Sequence, residues 1–210
     1  MHHATAAMLH TLRGEPDAAR AHLERAAALT AEDLPGEFVI PIRCAAAALA
    51  LAEHAPEQAR RLADETLVGE RDPLYAPALY ALAIRAEAEM PAPDPGRAGR
   101  LLAELDRLLE TSAPVPDAFA HRATGYAECD RSDGDRWAAA AARWEALGEP
   151  YPAAYARLRQ AESLLGALAE KYPSLAVFHA ELAALQIRQG DKGEAIDSLK
   201  QAVAAGLQFL

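Results

Sequence analysis

β-Branched residues, lysine, aromatics and cysteine are all scarce in this chain of 210 residues. Val, Ile and Thr together supply 16 positions, too few to build a sheet of any size. Long apolar runs are missing as well. Arg, Glu or Asp interrupts every stretch well before the roughly 20 residues that cross a bilayer, so no membrane partner is expected. Cys44 and Cys129 stand apart, outside any CxxC pair, and read as reduced thiols rather than a disulfide. The start, Met1-His2-His3, lacks a charged segment followed by an apolar one, so no signal peptide is expected and the setting reads as cytoplasmic.

What is abundant is alanine, with 53 residues, followed by leucine with 28. Both favour helices, so the fold class is all-α. Turn chemistry divides the chain into about eleven helical stretches. The breaks fall at Gly14-Glu15-Pro16, Leu34-Pro35-Gly36, Pro56, Asp72-Pro73, residues 91–96, Pro114-Val115-Pro116, Asp133-Gly134-Asp135, Gly148-Glu149-Pro150, Tyr172-Pro173 and Gly190-Asp191. Asp117, Asp135 and Ser174 are expected as N-caps, and Pro16, Pro73 and Pro95 in first turns. Short connections between helices of similar length predict antiparallel hairpins.

Small residues recur at a helix-pair period. Five, nine and twelve residues after Gly14 come Ala19, Leu23 and Ala26; after Gly190 come Ala195, Leu199 and Ala202, with Leu182 and Ala183 before. Gly134 gives Ala139 and Ala146 with Tyr126 and Ala127 before it, and the stretches around Ala59 and Ala98 match more loosely. The pattern resembles tetratricopeptide repeats, in which a Cβ methyl lets two helix backbones approach closely. That resemblance implies helix hairpins stacked in a right-handed superhelix. The domains expected are a repeat array over residues 1–166 and a C-terminal hairpin over 167–210.

A second resemblance is local. Residues 136–162, with Trp137, Trp144, Gly148-Glu149-Pro150-Tyr151, Tyr155 and Arg159-Gln160-Ala161-Glu162, are similar to a stretch of large actinobacterial LuxR-type regulators of the MalT group. Those place a helical-repeat sensor between an ATPase module and a helix-turn-helix, which implies a sensing part in transcription regulation and signal transduction. No GxxxxGK[ST] loop is present and the C-terminus is not a helix-turn-helix, so neither ATP hydrolysis nor DNA binding carries over. The net charge of -10 opposes direct nucleic-acid contact too. The two tryptophans, seven apart, and Tyr151 with Tyr155, four apart, are expected to pack helix against helix.

The last forty residues differ. They hold all three lysines, Lys171, Lys192 and Lys200, and four of the six glutamines, whereas every earlier basic residue is Arg. A junction is expected near 166–173, from a recombined or engineered fusion or a divergent capping repeat; ordinary drift in one gene is the alternative to a junction.

Catalytic constellations are not apparent. His2, His3 and His10 cluster at an end expected to fray, and His22, His54 and His179 stand alone, while His121 has Asp117 four residues before it. Glu87 with Glu89, and Glu104 with Asp106, are two apart and so point to different faces, as solvated carboxylates do. No cofactor or metal is expected. The function expected is therefore non-enzymatic binding of a protein, a peptide or a small effector on the concave face. The repeat register places Met8, Thr11, Cys44, Tyr80, Glu87, His121, Thr124, Glu128, Arg131, Ile187 and Arg188 there. A self-associating scaffold is the alternative, and an all-α enzyme the remote third.

Overall fold

The computed structural model describes residues 2–29, 36–68, 72–110, 115–190 and 192–206. Among them the chain forms eleven helices and no strand: α1 (His2–Leu12), α2 (Pro16–Leu29), α3 (Gly36–Ala52), α4 (Pro56–Leu67), α5 (Ala76–Ala88), α6 (Pro95–Glu110), α7 (Pro116–Cys129), α8 (Gly134–Leu147), α9 (Pro150–Lys171), α10 (Ala176–Gln189) and α11 (Lys192–Ala204). The turns expected at Leu34-Pro35, Pro114 and Asp191 lie outside the described residues. No helix among those described is long and apolar enough to cross a membrane.

The packing is that of a helical-repeat array. Inner helices α1, α3, α5 and α7 touch in series; α2, α4 and α6 each lie against the inner helices on either side, and α8 lies against α7 and α9. Alanine makes the close approaches: Ala19, Ala59, Ala63, Ala83, Ala120 and Ala127 are fully buried or nearly so. Around them the main core joins Ile40, Leu51, Leu79, Ile84, Leu102 and Leu105, while Trp137 and Trp144 each centre a smaller cluster. Past α7 the pattern changes. Helix α9 packs closely on α8 and α10, and α10 on α9 and α11.

Local chemistry departs from expectation at several ends. Asp133, not Asp135, caps α8, accepting from the backbone N–H groups of Asp135 and Arg136 at 3.0 and 3.1 Å. Asp117 lies inside the first turn of α7, whose cap position is Val115, and Ser174 precedes Leu175 at the cap of α10; neither cap makes a side-chain bond. Pro16 and Pro95 open α2 and α6 as expected, but Pro73 lies in the turn before α5 and Pro77 takes the first-turn position. The repeat register holds at both ends, where Ala19, Ala26, Ala195 and Ala202 are buried after left-handed Gly14 and Gly190. It fails in α8. Ala139 and Ala146 are exposed, because Gly134 begins the helix instead of forming the turn before it, and the buried residues are Trp137, Ala140, Ala141 and Trp144. Helix α9 runs continuously through Gly166 to Lys171, so a boundary at residue 166 falls inside a helix. The expected frayed start is also absent: α1 is helical from His2.

A polar cleft on the inner face

Where the inner line of helices passes α7, alanine contacts give way to charge. Tyr155 and Arg159 on α9 reach across to α5 and α7. The Tyr155 phenol donates to Glu128 Oε1 at 2.5 Å, and Arg159 Nε donates back to the phenol oxygen at 3.3 Å. Arg131, just after α7, grips Glu128 Oε2 at 2.7 Å and lies 3.3 Å from Glu89 Oε1. Glu89, at the end of α5, also accepts from Arg85 Nε at 2.8 Å and lies 3.6 Å from Arg159, which is held in turn by Glu162 at 2.7 Å. The Arg85 guanidinium lies 4.4 Å above the Tyr155 ring. Trp137, with no exposed surface, packs edge-on to that ring and donates from Nε1 to the Arg131 carbonyl at 3.1 Å.

The electrostatics are self-consistent. Three arginines face three glutamates, so the network is neutral as a whole. Burial alone would raise the Glu89 carboxyl, but Arg85, Arg131 and Arg159 outweigh it and hold it below the usual carboxylate range. Burial and the Glu128 charge push the Tyr155 phenol up, leaving it a neutral donor. A satisfied network of this kind fixes side-chain positions, and losing any one member strands another.

Beside it opens a cleft of about 590 Å³. One wall carries Glu89, Arg131, Ser132, Arg159, Glu162, Ser163 and Gly166; the α3–α4 turn brings His54 and Pro56, and the C-terminal hairpin brings Leu182, Gln186 and Glu194. Ser163 donates to the Ser132 carbonyl at 2.5 Å, tying α9 to the end of α7. Gln186 is held by Ser198 at 2.8 Å. A second, apolar groove of about 440 Å³ lies over α1, α3 and α5, between Met8, Leu9, Leu12, Ile40, Cys44, Leu74, Tyr75 and Tyr151.

The expected concave residues separate into four groups. Glu128 and Arg131 belong to the network, and Arg131 lines the cleft. Met8 and Cys44 line the apolar groove, where burial pushes the Cys44 thiol up to about 12; both cysteines are free. Glu87 is almost fully buried, beside Arg97 at 3.0 Å, and accepts from the backbone of Asp94 at 2.8 Å. Neither it nor Glu89 is therefore the solvated carboxylate that the spacing suggested. The rest lie off the cleft. Tyr80 faces α6, with its hydroxyl 3.4 Å from Glu104. His121 and Thr124 face α8, where Trp144 meets the imidazole edge-on at 4.8 Å and donates to Thr124 at 2.9 Å. Thr11 turns back on the Ala7 carbonyl at 2.9 Å, and Ile187 and Arg188 are exposed on α10. Tyr80, His121 and Thr124 are taken up in helix packing because one face of each inner helix meets an outer helix.

The sequence reading missed Arg85, Glu89, Tyr155, Arg159 and Glu162 as site residues. Their signal was a basic and an acidic residue three or four apart near the ends of α5 and α7 and within α9. The expected aromatic packing holds for Trp137 with Tyr155, but Trp144 packs towards α7 and Tyr151 lies half exposed at the apolar groove. The N-terminal histidines do meet. His3 Nδ1 lies 3.0 Å from His22 Nδ1, His10 stacks on His22, and Glu15 takes His10 at 2.6 Å. Among the described residues no group of three or more His, Cys, Asp or Glu side chains is placed to hold a metal ion.

Comparison with family models, with curated proteins and with solved structures finds no match for this chain.

Proposed function

We propose that the chain is a non-enzymatic binding module whose polar cleft takes a short peptide or a small polar effector, acting as the sensing part of a LuxR-type regulator. One observation carries this reading. The ion network fixes one wall of a concave site from α5, α7 and α9, and a separate hairpin supplies the opposite wall. Pockets of some 300–1,000 Å³ with a few fixed polar groups suit ligands of that size.

A thermal-shift screen of tripeptides and polar metabolites tests the reading, with each hit repeated on Gly166→Phe. Gly166 lines the cleft, and a Cβ there meets nothing within 4 Å, so a larger side chain can start from that wall into the ligand space without a clash at its root. Hits that stabilise the native chain and lose their effect on Gly166→Phe support the cleft; hits that keep it place binding elsewhere.

A second reading, self-association, rests on α11. Ile196 and Val203, both about half exposed, flank Leu199 and border a shallow apolar hollow at the end of the array. Light scattering of the native chain and of an Ile196→Glu, Val203→Glu variant tests it, since a dimer that dissociates in the variant supports that role.

A further inference from the structure

The C-terminal hairpin meets the rest of the array in an unusual way. Its buried residues are small or polar: Ala183, Ala195 and Ala202, with His179, Gln186 and Ser198. The three apolar core clusters contain no buried residue beyond Ala156. The hairpin follows α9 through Tyr172, Pro173, Ser174 and Leu175, all exposed. Elements with so few buried apolar contacts open at low cost.

Across the cleft the hairpin closely approaches a remote turn. His54 ends the α3 side in a left-handed conformation, φ 56°, which side chains rarely adopt, and Gly190 ends α10 at φ 88°. The two face each other so closely that a Cβ on Gly190 would lie 2.6 Å from His54 Nε2 and 2.8 Å from Cε1. Only glycine lets the imidazole sit there. His54 also lines the cleft, as do Leu182, Gln186 and Glu194 of the hairpin, so this contact closes a ring around the ligand space.

We infer that α10 and α11 form a lid over the cleft, latched where the His54 ring seats against Gly190 and hinged at residues 172–175. The inference rests on the cleft being the binding site. Opening the latch widens the entrance; seating it encloses what has entered.

Spin labels at Glu57→Cys and Arg188→Cys, both exposed positions, report the gap by double electron–electron resonance in a Cys44→Ala, Cys129→Ala background of the full chain. The native latch gives one dominant short distance. His54→Gly removes the ring at a position whose φ suits glycine, and Gly190→Ala denies the ring its seat; each makes a longer distance dominant. Gly148→Ala is the control, because it carries the same left-handed strain, φ 74°, with nothing within 4 Å, and its distance stays short. An unchanged short distance in both latch variants, with native circular dichroism, overturns the lid. The readout needs no ligand, so a lid that opens while no screened compound binds counts against the binding site and leaves the lid standing.

Discussion

The Tyr155 hydroxyl on α9 and the Glu128 carboxylate on α7 form a 2.5 Å hydrogen bond, and through it a long helix that stands off the inner line is tied to it. Glu128 has almost no exposed surface, so its carboxylate oxygens take from Tyr155 and Arg131 the hydrogen bonds that water would otherwise give. Tyr155→Phe removes one donor and leaves the packing against Trp137. The expected loss is about 1–3 kcal/mol in urea denaturation. In a double-mutant cycle with Glu128→Gln the losses are strongly non-additive; simple additivity would mean that the bond contributes nothing.

The alanines of α8 make a sharper test of register. Ala140 is fully buried, and Ala139 beside it is exposed. Leucine at 140 overpacks the contact centred on Trp137 and costs about 1–3 kcal/mol, whereas leucine at 139 stays within about 0.5 kcal/mol of native. Equal melting temperatures for the two variants would contradict the placement of α8.

Acid should weaken the fold through His121. Burial pushes this imidazole down to about 4 from an ordinary value of 6.5, and its ring packs against Trp144. Between those values the unfolded chain binds a proton that the folded chain does not, so the His121 contribution is complete above about pH 6.5, falls as pH drops and levels off below about pH 4. The full shift corresponds to about 3 kcal/mol. His22 acts in the same direction, held down by its partial burial and by His10 and His3. Melting temperatures of native protein and His121→Phe, followed from pH 7 to pH 4, check this: the variant shows the shallower decline.

How far the sequence reveals this architecture depends on the kind of contact. Alanine spacing identifies hairpins where a left-handed glycine sets the turn, as at Gly14 and Gly190, because two backbones can approach there only over a methyl group. It misleads at Gly134, a glycine that is itself the first residue of the helix, and the register shifts by two residues, to Trp137, Ala141 and Trp144. The cleft is harder to see. Arg85 with Glu89 and Arg159 with Glu162 have the spacing of ordinary surface ion pairs, and only the tertiary meeting of α5, α7 and α9 turns them inward. The contact of His54 with Gly190 spans 136 positions and involves no motif, so no local pattern announces it.

The most direct test of the cleft is nitrogen-15 NMR of the arginine Nε–Hε groups during titration with the best tripeptide from the stabilisation screen. Binding in the cleft shifts the Arg131 and Arg159 signals together, in proportion to occupancy, and leaves Arg157, which pairs with Glu145 on an exposed surface and does not line the cleft, in place. A titration that moves Arg157 while Arg131 and Arg159 stay fixed contradicts the account.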